Sequence, residues 1–468
     1  MRTFSAEAVK HEGSMPPAPR AAEPAAIISR TDPATGNGVP RDVDILGIGF
    51  GPSNLSLAIA IEESNQERAG RQRLTARFLE AKPGFSWHNG MMLPDTTMQI
   101  SFLKDLVSLR TPTSPYTFLN YLHERQRLSD FINLKTFYPT RHEFHDYLLW
   151  AADRVSLPVS YGVRATRIDW RAGRFVVTAT RNGDAADETI TARHIVVAMG
   201  LRPVLPAGMA PGPRVFHNHD LLPNLAGLPS RPNRRFLVVG CGQSAAEVAA
   251  YLHETYGDAE VHASFRRFGY SPSDSTPFVN RIFDPASVDE FYTAPQALKQ
   301  RLLGYHWLSN YSAVDADLID TLYRREYDET VRGARRLHIH RVTEIAELDE
   351  TPDGVRVTLR DLGDRHHQRI TVDAVIMATG FQPSGIRELL GPTIDAGSAF
   401  DGALPLVERD YSLRLTGIDG RIYLNGGVEH THGLSSSLLS NVPIRVQDIL
   451  DAATAATTAD ATQRVAHL

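Results

Sequence analysis

Asp44-Ile45-Leu46-Gly47-Ile48-Gly49-Phe50-Gly51-Pro52-Ser53-Asn54 reads as a short buried strand that runs into a glycine turn and opens a helix. Leu55, Leu57, Ala58, Ile59 and Ile61 then follow with helical apolar spacing. Arg77-Phe78-Leu79-Glu80 is a second strand, ending in an acid. Strand, glycine turn, helix and strand make a β-α-β unit of the dinucleotide-binding kind. Gly47 allows the tight turn, and Gly49 lets the backbone approach a diphosphate lying on the amides of the helix N-terminus. Pro52 stands where the G-x-G-x-x-G pattern has its third glycine; a first helical turn tolerates it, because the missing N–H had no partner there. Glu80 lies 33 residues after Gly47, beyond the usual interval of about 20, with residues 65–73 as the insertion. An acid there suits a ribose hydroxyl pair and repels a 2′-phosphate, which favours FAD or NAD over NADP. By itself the loop is also compatible with a glycine turn in an unrelated α/β protein.

A second unit begins at Arg235-Phe236-Leu237-Val238-Val239 and turns at Gly240-Cys241-Gly242-Gln243-Ser244-Ala245, a G-x-G-x-x-A match. Its helix is expected over 244–256 and its second strand over 260–265. That strand ends in Arg266 and Arg267; guanidinium groups suit the 2′-phosphate of NADPH, although a solvated strand end would look the same. Two loops with opposite charge at the ribose position imply two different dinucleotides on one chain, with hydride passing from NADPH to a flavin. Further strands are expected over 159–169, 174–180 and 194–198. A mostly helical stretch over 285–335 follows the second unit, and strands resume at 337–339, 355–359 and 374–378. The fold class is therefore α/β: two Rossmann-like domains, for FAD and NADPH, the second inserted in the first, plus a small helical substrate-binding segment.

The 468 residues exceed one ordinary core. A net charge of −5 gives no reason to expect nucleic acid or an anionic membrane as partner, and no apolar run approaches the roughly 20 residues that span a bilayer. Cys241 is the one cysteine, which excludes a disulfide framework and a redox dithiol and fits a reducing cytoplasm. Residues 1–40 read as a disordered leader and 451–468 as a flexible tail. His430 and His432 have the spacing of a metal pair, but no third ligand has the right context, so no metal is expected.

The chain resembles the microbial flavin-dependent N-hydroxylating monooxygenases, the ornithine and lysine N-hydroxylases, over about residues 42–450. The stretches that carry this are Gly84-Phe85-Ser86-Trp87-His88, Met98-Gln99-Ile100-Ser101-Phe102-Leu103-Lys104-Asp105-Leu106, Ser114-Pro115-Tyr116-Thr117-Phe118-Leu119-Asn120-Tyr121-Leu122, Pro277-Phe278-Val279-Asn280, Asn310-Tyr311-Ser312, Ala378-Thr379-Gly380-Phe381 and His432-Gly433-Leu434-Ser435 with Leu438-Leu439-Ser440. The resemblance implies that Glu80, Trp87, His88 and Gln99 line the flavin, joining Gly47, Gly49, Gly51, Pro52, Ser53 and Asn54. It implies Cys241, Gly242, Gln243, Ser244 and Arg266 as NADP contacts, with Tyr311 and Ser312 toward the nicotinamide. Ser437, Leu438 and Leu439 become flavin contacts. Lys104 pairs with the substrate α-carboxylate, Asn280 and Asn310 orient its amines, and Ser440 adds a contact. The domains implied are 41–205 and 346–450 for FAD, and 206–345 for NADPH with a substrate segment over about 277–335.

The implied reaction is oxidation of the L-ornithine side-chain amine to N5-hydroxyornithine, using NADPH, O2 and a flavin C4a-hydroperoxide, for siderophore or related biosynthesis. Lysine N6-hydroxylation and diamine hydroxylation are the alternatives, and dimers or tetramers are implied. The amine reacts only when neutral. Deprotonating a free amine at pH 7.5 costs about 4 kcal/mol. A carboxylate beside it would hold the charge on, whereas amides orient it without that penalty. Taken alone, Asn280 and Asn310 read as turn or cap residues and Lys104 as a surface lysine. A disulfide reductase lacks its cysteine pair here, Phe216-His217-Asn218-His219 only faintly resembles a Baeyer-Villiger linker, and a flavin sensor would not need Arg266 or the amides.

Overall fold

The computed structural model describes residues 40–68, 73–183, 187–363 and 366–466. The expected leader lies, save Pro40, outside the described residues, as do residues 467–468 of the expected tail.

The apolar run before the first glycine turn becomes the strand Asp42–Ile48, and the helix Pro52–Glu67 follows with Pro52 in its first turn. The strand pairs in parallel with Ala76–Glu80 on one side and Asp187–Val197 on the other. These belong to a seven-stranded sheet, one strand of which, Arg421–Leu424, pairs in parallel with Asp187–Val197. The second unit is a five-stranded parallel sheet in the order Leu337–Arg341, Glu260–Phe265, Arg235–Val239, Ala374–Met377, Val215–His217. One sheet is thus interrupted by the other, as expected of an inserted domain. The two crossings, Leu201–Pro203 and Phe381–Pro383, pair antiparallel as a short ribbon between the units.

Two boundaries differ from expectation. The second unit does not end at 345. The strands Thr343–Thr351, Gly354–Asp361 and His367–Val372 form a meander whose Val355, Val357 and Leu359 share a core with Val215, Leu237 and Met377. Ala374–Met377 then lies inside the second sheet. The return to the first sheet comes only after the ribbon. The second difference is at the C-terminus, where the expected flexible tail is helical from Val442 through Ala466. Ile449, Leu450 and Ala453 of this helix are buried in the first core, and alanine is the best intrinsic helix former.

Helices at Phe118–Glu124, Leu128–Leu134 and Arg141–Arg154 have no counterpart among the expected elements. Phe118, Tyr121, Phe144, Tyr147 and Trp150 pack them onto the first core. Thr140 caps the third helix by accepting the Glu143 amide, the T-x-x-E signature of a helix start. Arg141 then reaches the second unit, donating to both Glu247 carboxylate oxygens at 2.9 and 3.1 Å. Both side chains are largely buried. Removing one partner of a buried pair strands the other charge and costs about 3–5 kcal/mol. Arg141→Ala is therefore expected to lower the thermal midpoint by several degrees, and Arg141→Ala/Glu247→Ala to lower it less. A double variant no more stable than the single one would refute this account. Among the described residues no helix is long and apolar enough to cross a membrane.

Candidate functional site

In the first glycine loop the geometry is set by close packing. A Cβ on Gly47 would lie 2.2 Å from the Phe78 ring, and one on Gly49, where φ is +84°, would lie 2.3 Å from the Ala198 carbonyl oxygen. A Cβ on Gly51 would meet nothing within 4 Å. The helix that follows has no side-chain cap at its N-terminus, so its first amides face this open space, as an anion-binding cradle requires. Asn54 is fully buried and donates to the Gly49 carbonyl at 2.7 Å, which holds the turn. Glu80 is buried, and its two oxygens accept the Phe50 and Lys82 amides at 2.8 and 2.9 Å. The acid expected to face a ribose therefore also clamps the loop. Trp87 packs on His88 and Phe144.

The second loop and the remaining candidates open on one large cleft of about 2480 Å³. It is lined by Gln99, Lys104, Cys241, Gly242, Gln243, Ser244, Arg266, Asn280, Asn310, Tyr311, Ser312, Ser437, Leu438 and Ser440. These come from separated stretches of chain, so the fold alone brings them together. Gly47, Gly49, Gly51, Pro52, Ser53, Asn54, Glu80, Trp87, His88 and Leu439 do not line this cleft. The expected flavin contacts thus divide between residues that line the cleft and residues that do not.

Lys104 is held in place by its neighbour. The buried Asp105 carboxylate accepts the Val107, Ser108 and Phe118 amides at 2.7 to 2.9 Å, which fixes the turn carrying the lysine. Burial pushes the Asp105 carboxyl up, and these backbone bonds oppose that shift. Ser440 is buried, and its Oγ has no hydrogen-bond partner among the described residues. A buried hydroxyl without a partner carries a desolvation cost, which a polar ligand in the cleft would relieve. Asn280 lines the cleft, and its amide nitrogen donates to the Ser275 carbonyl at 3.1 Å.

The family profile described as L-lysine 6-monooxygenase/L-ornithine 5-monooxygenase matches residues 41–383. The chain is 38% identical to the L-ornithine N(5)-monooxygenase of Pseudomonas aeruginosa, over 87% of this chain and 92% of that protein. The chain belongs to the L-lysine 6-monooxygenase/L-ornithine 5-monooxygenase family. Among solved structures it superposes with a TM-score of 0.83 on the ornithine N-hydroxylase of Kutzneria sp. 744, a structure described with reduced FAD, NADP+ and L-orn. The identity is 40%, over 88% of this chain and 99% of that one. It superposes with a TM-score of 0.75 on L-lysine 6-monooxygenase from Pseudomonas syringae, at 32% identity over 88% and 99%.

Within this member of the family the two units meet at a polar bridge. Gln99 donates to Asp315 at 3.1 Å, Gln243 donates to the other Asp315 oxygen at 2.9 Å, and the Asp315 amide returns to Gln243 at 2.8 Å. Gln99 and Gln243, each expected as a cofactor contact, are thus coupled across the cleft. Tyr311 donates to Glu429, also a cleft residue; burial, then the Glu429 charge, pushes the phenol well above its usual range. Cys241 donates to the Gly269 carbonyl at 3.3 Å, and burial pushes its thiol up, so it stays protonated.

Sequence reasoning misses Asp315, Glu429, Asn425 and Arg445. Asn425 donates to Asn54 and to the Ser53 carbonyl, and Arg445 donates to Asn425 at 2.8 Å and to the Ser436 carbonyl. Arg445 is only 2% exposed and bonds to no carboxylate among the described residues. The network ties the C-terminal helix to the first glycine loop. Its members lie nearly 400 residues apart, and no spacing rule links them. His430 and His432 bond separately, to the Pro405 and Arg409 carbonyls, so their spacing does not reflect a shared ion.

Arg266 is 73% exposed and pairs with Glu344 at 3.0 Å, while Arg267 donates to the Ser312 carbonyl. An exposed charge contributes about 1 kcal/mol at most. Arg266→Ala is therefore expected to reduce the preference for NADPH over NADH roughly 5-fold, measured as the ratio of kcat/KM values. An unchanged ratio would remove Arg266 from 2′-phosphate recognition.

Proposed function

We propose that this chain hydroxylates the side-chain amine of L-ornithine to give N5-hydroxyornithine, consuming NADPH and O2 with FAD as resident cofactor. The observation that carries the proposal is the single cleft in which the second glycine loop, Lys104, Asn280, Asn310 and Ser440 converge. FAD, when bound, takes the reducing equivalents of NADPH and delivers one atom of O2 to the amine. The residues fit it: open helix amides, the unfilled space at Gly51 and the packed turn at Gly47 and Gly49 suit its diphosphate. Gly242 opens the second helix, likewise with no side-chain cap, facing the cleft where NADPH would lie.

The protein's own part is to bind and to orient. Lys104 places an ammonium in the cleft with no carboxylate paired to it among the described residues. It suits an α-carboxylate, which makes the substrate an amino acid. Asn280 and Asn310 offer neutral amides to the substrate amines, which orient them without the charge-holding effect of a carboxylate at the same place. Ser440 supplies a hydroxyl for which the protein provides no partner among the described residues. Lysine and diamines remain the competing substrates, because one methylene is worth only about 1–3 kcal/mol of discrimination. The named ligand of the Kutzneria relative favours ornithine.

We further propose a cytoplasmic dimer or tetramer whose hydroxylamine product feeds a siderophore or related metabolite; light scattering tests the assembly. The deciding experiment measures NADPH oxidation and hydroxylamine formation with ornithine, lysine, putrescine and no amine. Ornithine is expected to give the highest kcat/KM and the most product per NADPH. Equal peroxide release in all four, without hydroxylamine, would overturn the proposal.

A further inference from the structure

Three histidines and a glutamate gather on one face of the second sheet, away from the cleft. The strands Glu260–Phe265 and Leu337–Arg341 run parallel, with His262 opposite His338 and Ser264 opposite His340. Side chains alternate along a strand, so Glu260, His262, His338 and His340 share a face. The opposite face, with Val261 and Leu337, packs into the core against the helix Gln243–Thr255. None of the four lines the cleft. His262 lies four residues before Arg266, roughly 13 Å along the strand.

We propose that Glu260, His262 and His338 bind one divalent transition-metal ion of the zinc class, with His340 as the outer partner that orients His262. The ligand atoms of the three lie within 4.8 Å of one another. His262 Nε2 is 3.7 Å from Glu260 Oε2. That is too long for a hydrogen bond and close to the spacing of about 3.3 Å between two ligands of a tetrahedral zinc ion. The His262 and His338 rings stack with centroids 4.6 Å apart and 12° between their planes, so a shared ion requires the His338 ring to turn about its χ2.

Two further observations point to a ligand. His338 Nε2 is buried with no hydrogen-bond partner among the described residues, and a native fold rarely leaves such an atom unused. His262 Nδ1 lies 2.9 Å from His340 Nε2, and His340 bonds Gln368 in turn. A metal on Nε2 of His262 requires its proton on Nδ1, with an acceptor to hold the ring. His340 provides that acceptor, in the place that a carboxylate, carbonyl or water takes behind metal-bound imidazoles.

Arg235 Nε holds Glu260 through the same Oε2 at 2.8 Å, and its Nη2 reaches Oε1 at 3.4 Å. This pair is exposed and weak, and the ion would displace the guanidinium from one of the two oxygens. Two imidazoles and one carboxylate select Zn2+, Co2+ or Ni2+ over Mg2+ or Ca2+. The ion would fasten the edge strand Leu337–Arg341 to its neighbour.

The test uses the full, flavin-loaded chain, free of any affinity tag and stripped with chelator. Titration with Zn2+ by calorimetry, checked by elemental analysis, is expected to show one ion per chain, and Mg2+ is expected to show none. His262→Ala and His338→Ala are expected to abolish binding, and His340→Ala to weaken it about 10–100-fold. Retained flavin absorbance shows that each variant is folded. Glu260→Gln, at the exposed strand start, is expected to weaken binding should the histidine variants not fold. Absence of saturable Zn2+ binding, or unchanged stoichiometry and affinity in the ligand variants, overturns the site.

Discussion

Gly49→Ala is expected to yield a protein that binds FAD about 100-fold more weakly and melts at lower temperature. The left-handed φ of +84° costs a side chain about 1 kcal/mol or more. The added carbon would also lie 2.3 Å from the Ala198 carbonyl, a backbone atom that cannot rotate away. Relief requires the turn to shift away from the strand Asp187–Val197, and the helix amides move with it. Together the two costs reach roughly 3 kcal/mol, which is two powers of ten in affinity. Gly51→Ala separates protein packing from cofactor contact, because its Cβ would meet no protein atom within 4 Å. That variant is expected to keep the stability of the cofactor-free protein and to lose flavin affinity alone. Flavin absorbance on titration, with melting of both apo variants, checks the pair. A Gly49→Ala protein with native affinity would remove the diphosphate from this loop.

Lys104→Ala is expected to raise KM for ornithine about 10–100-fold and to change kcat far less. A hydrogen bond to a charged group contributes about 1.5–3 kcal/mol. Lys104 lines the cleft, and the neighbouring Asp105 is committed to backbone amides. Putrescine carries no carboxylate, so its slow turnover is expected to be indifferent to the substitution. Lys104→Arg is expected to recover only part of the loss, because the planar guanidinium does not reproduce a compact ammonium. Equal losses with ornithine and putrescine would show that Lys104 shapes the cleft instead of reading the acid end of the substrate.

Much of the fold and of the cleft is legible in the order of the amino acids alone. Strand and helix periodicity beside Gly47-Ile48-Gly49 and Gly240-Cys241-Gly242 marks both dinucleotide units, because such turns need particular residues at particular positions. Motif resemblance singles out Lys104, Asn280, Asn310 and Ser440, and they do line one cleft. The boundary at 345 fails because the meander over 343–372 alternates like any antiparallel strands, and alternation does not say which sheet it covers. Asp315, Glu429, Asn425 and Arg445 stay invisible because a polar residue becomes informative only once its partner is known. The histidine cluster escapes for the same reason: His338-Ile339-His340 puts two rings on one face, but the third ring sits on another strand, 76 residues before His338.

The place of Arg421–Leu424 in the first sheet has a consequence for biosynthesis. Its neighbour Asp187–Val197 leaves the ribosome more than 220 residues earlier. At about 5–20 residues per second, His194 to Val197 would wait roughly 10–45 s with one backbone edge unpaired. Such an edge is a template for unwanted strand addition. The nascent chain therefore carries an aggregation hazard while the second unit is still being made, and a slower elongation rate over residues 200–420 is expected to lower the soluble yield.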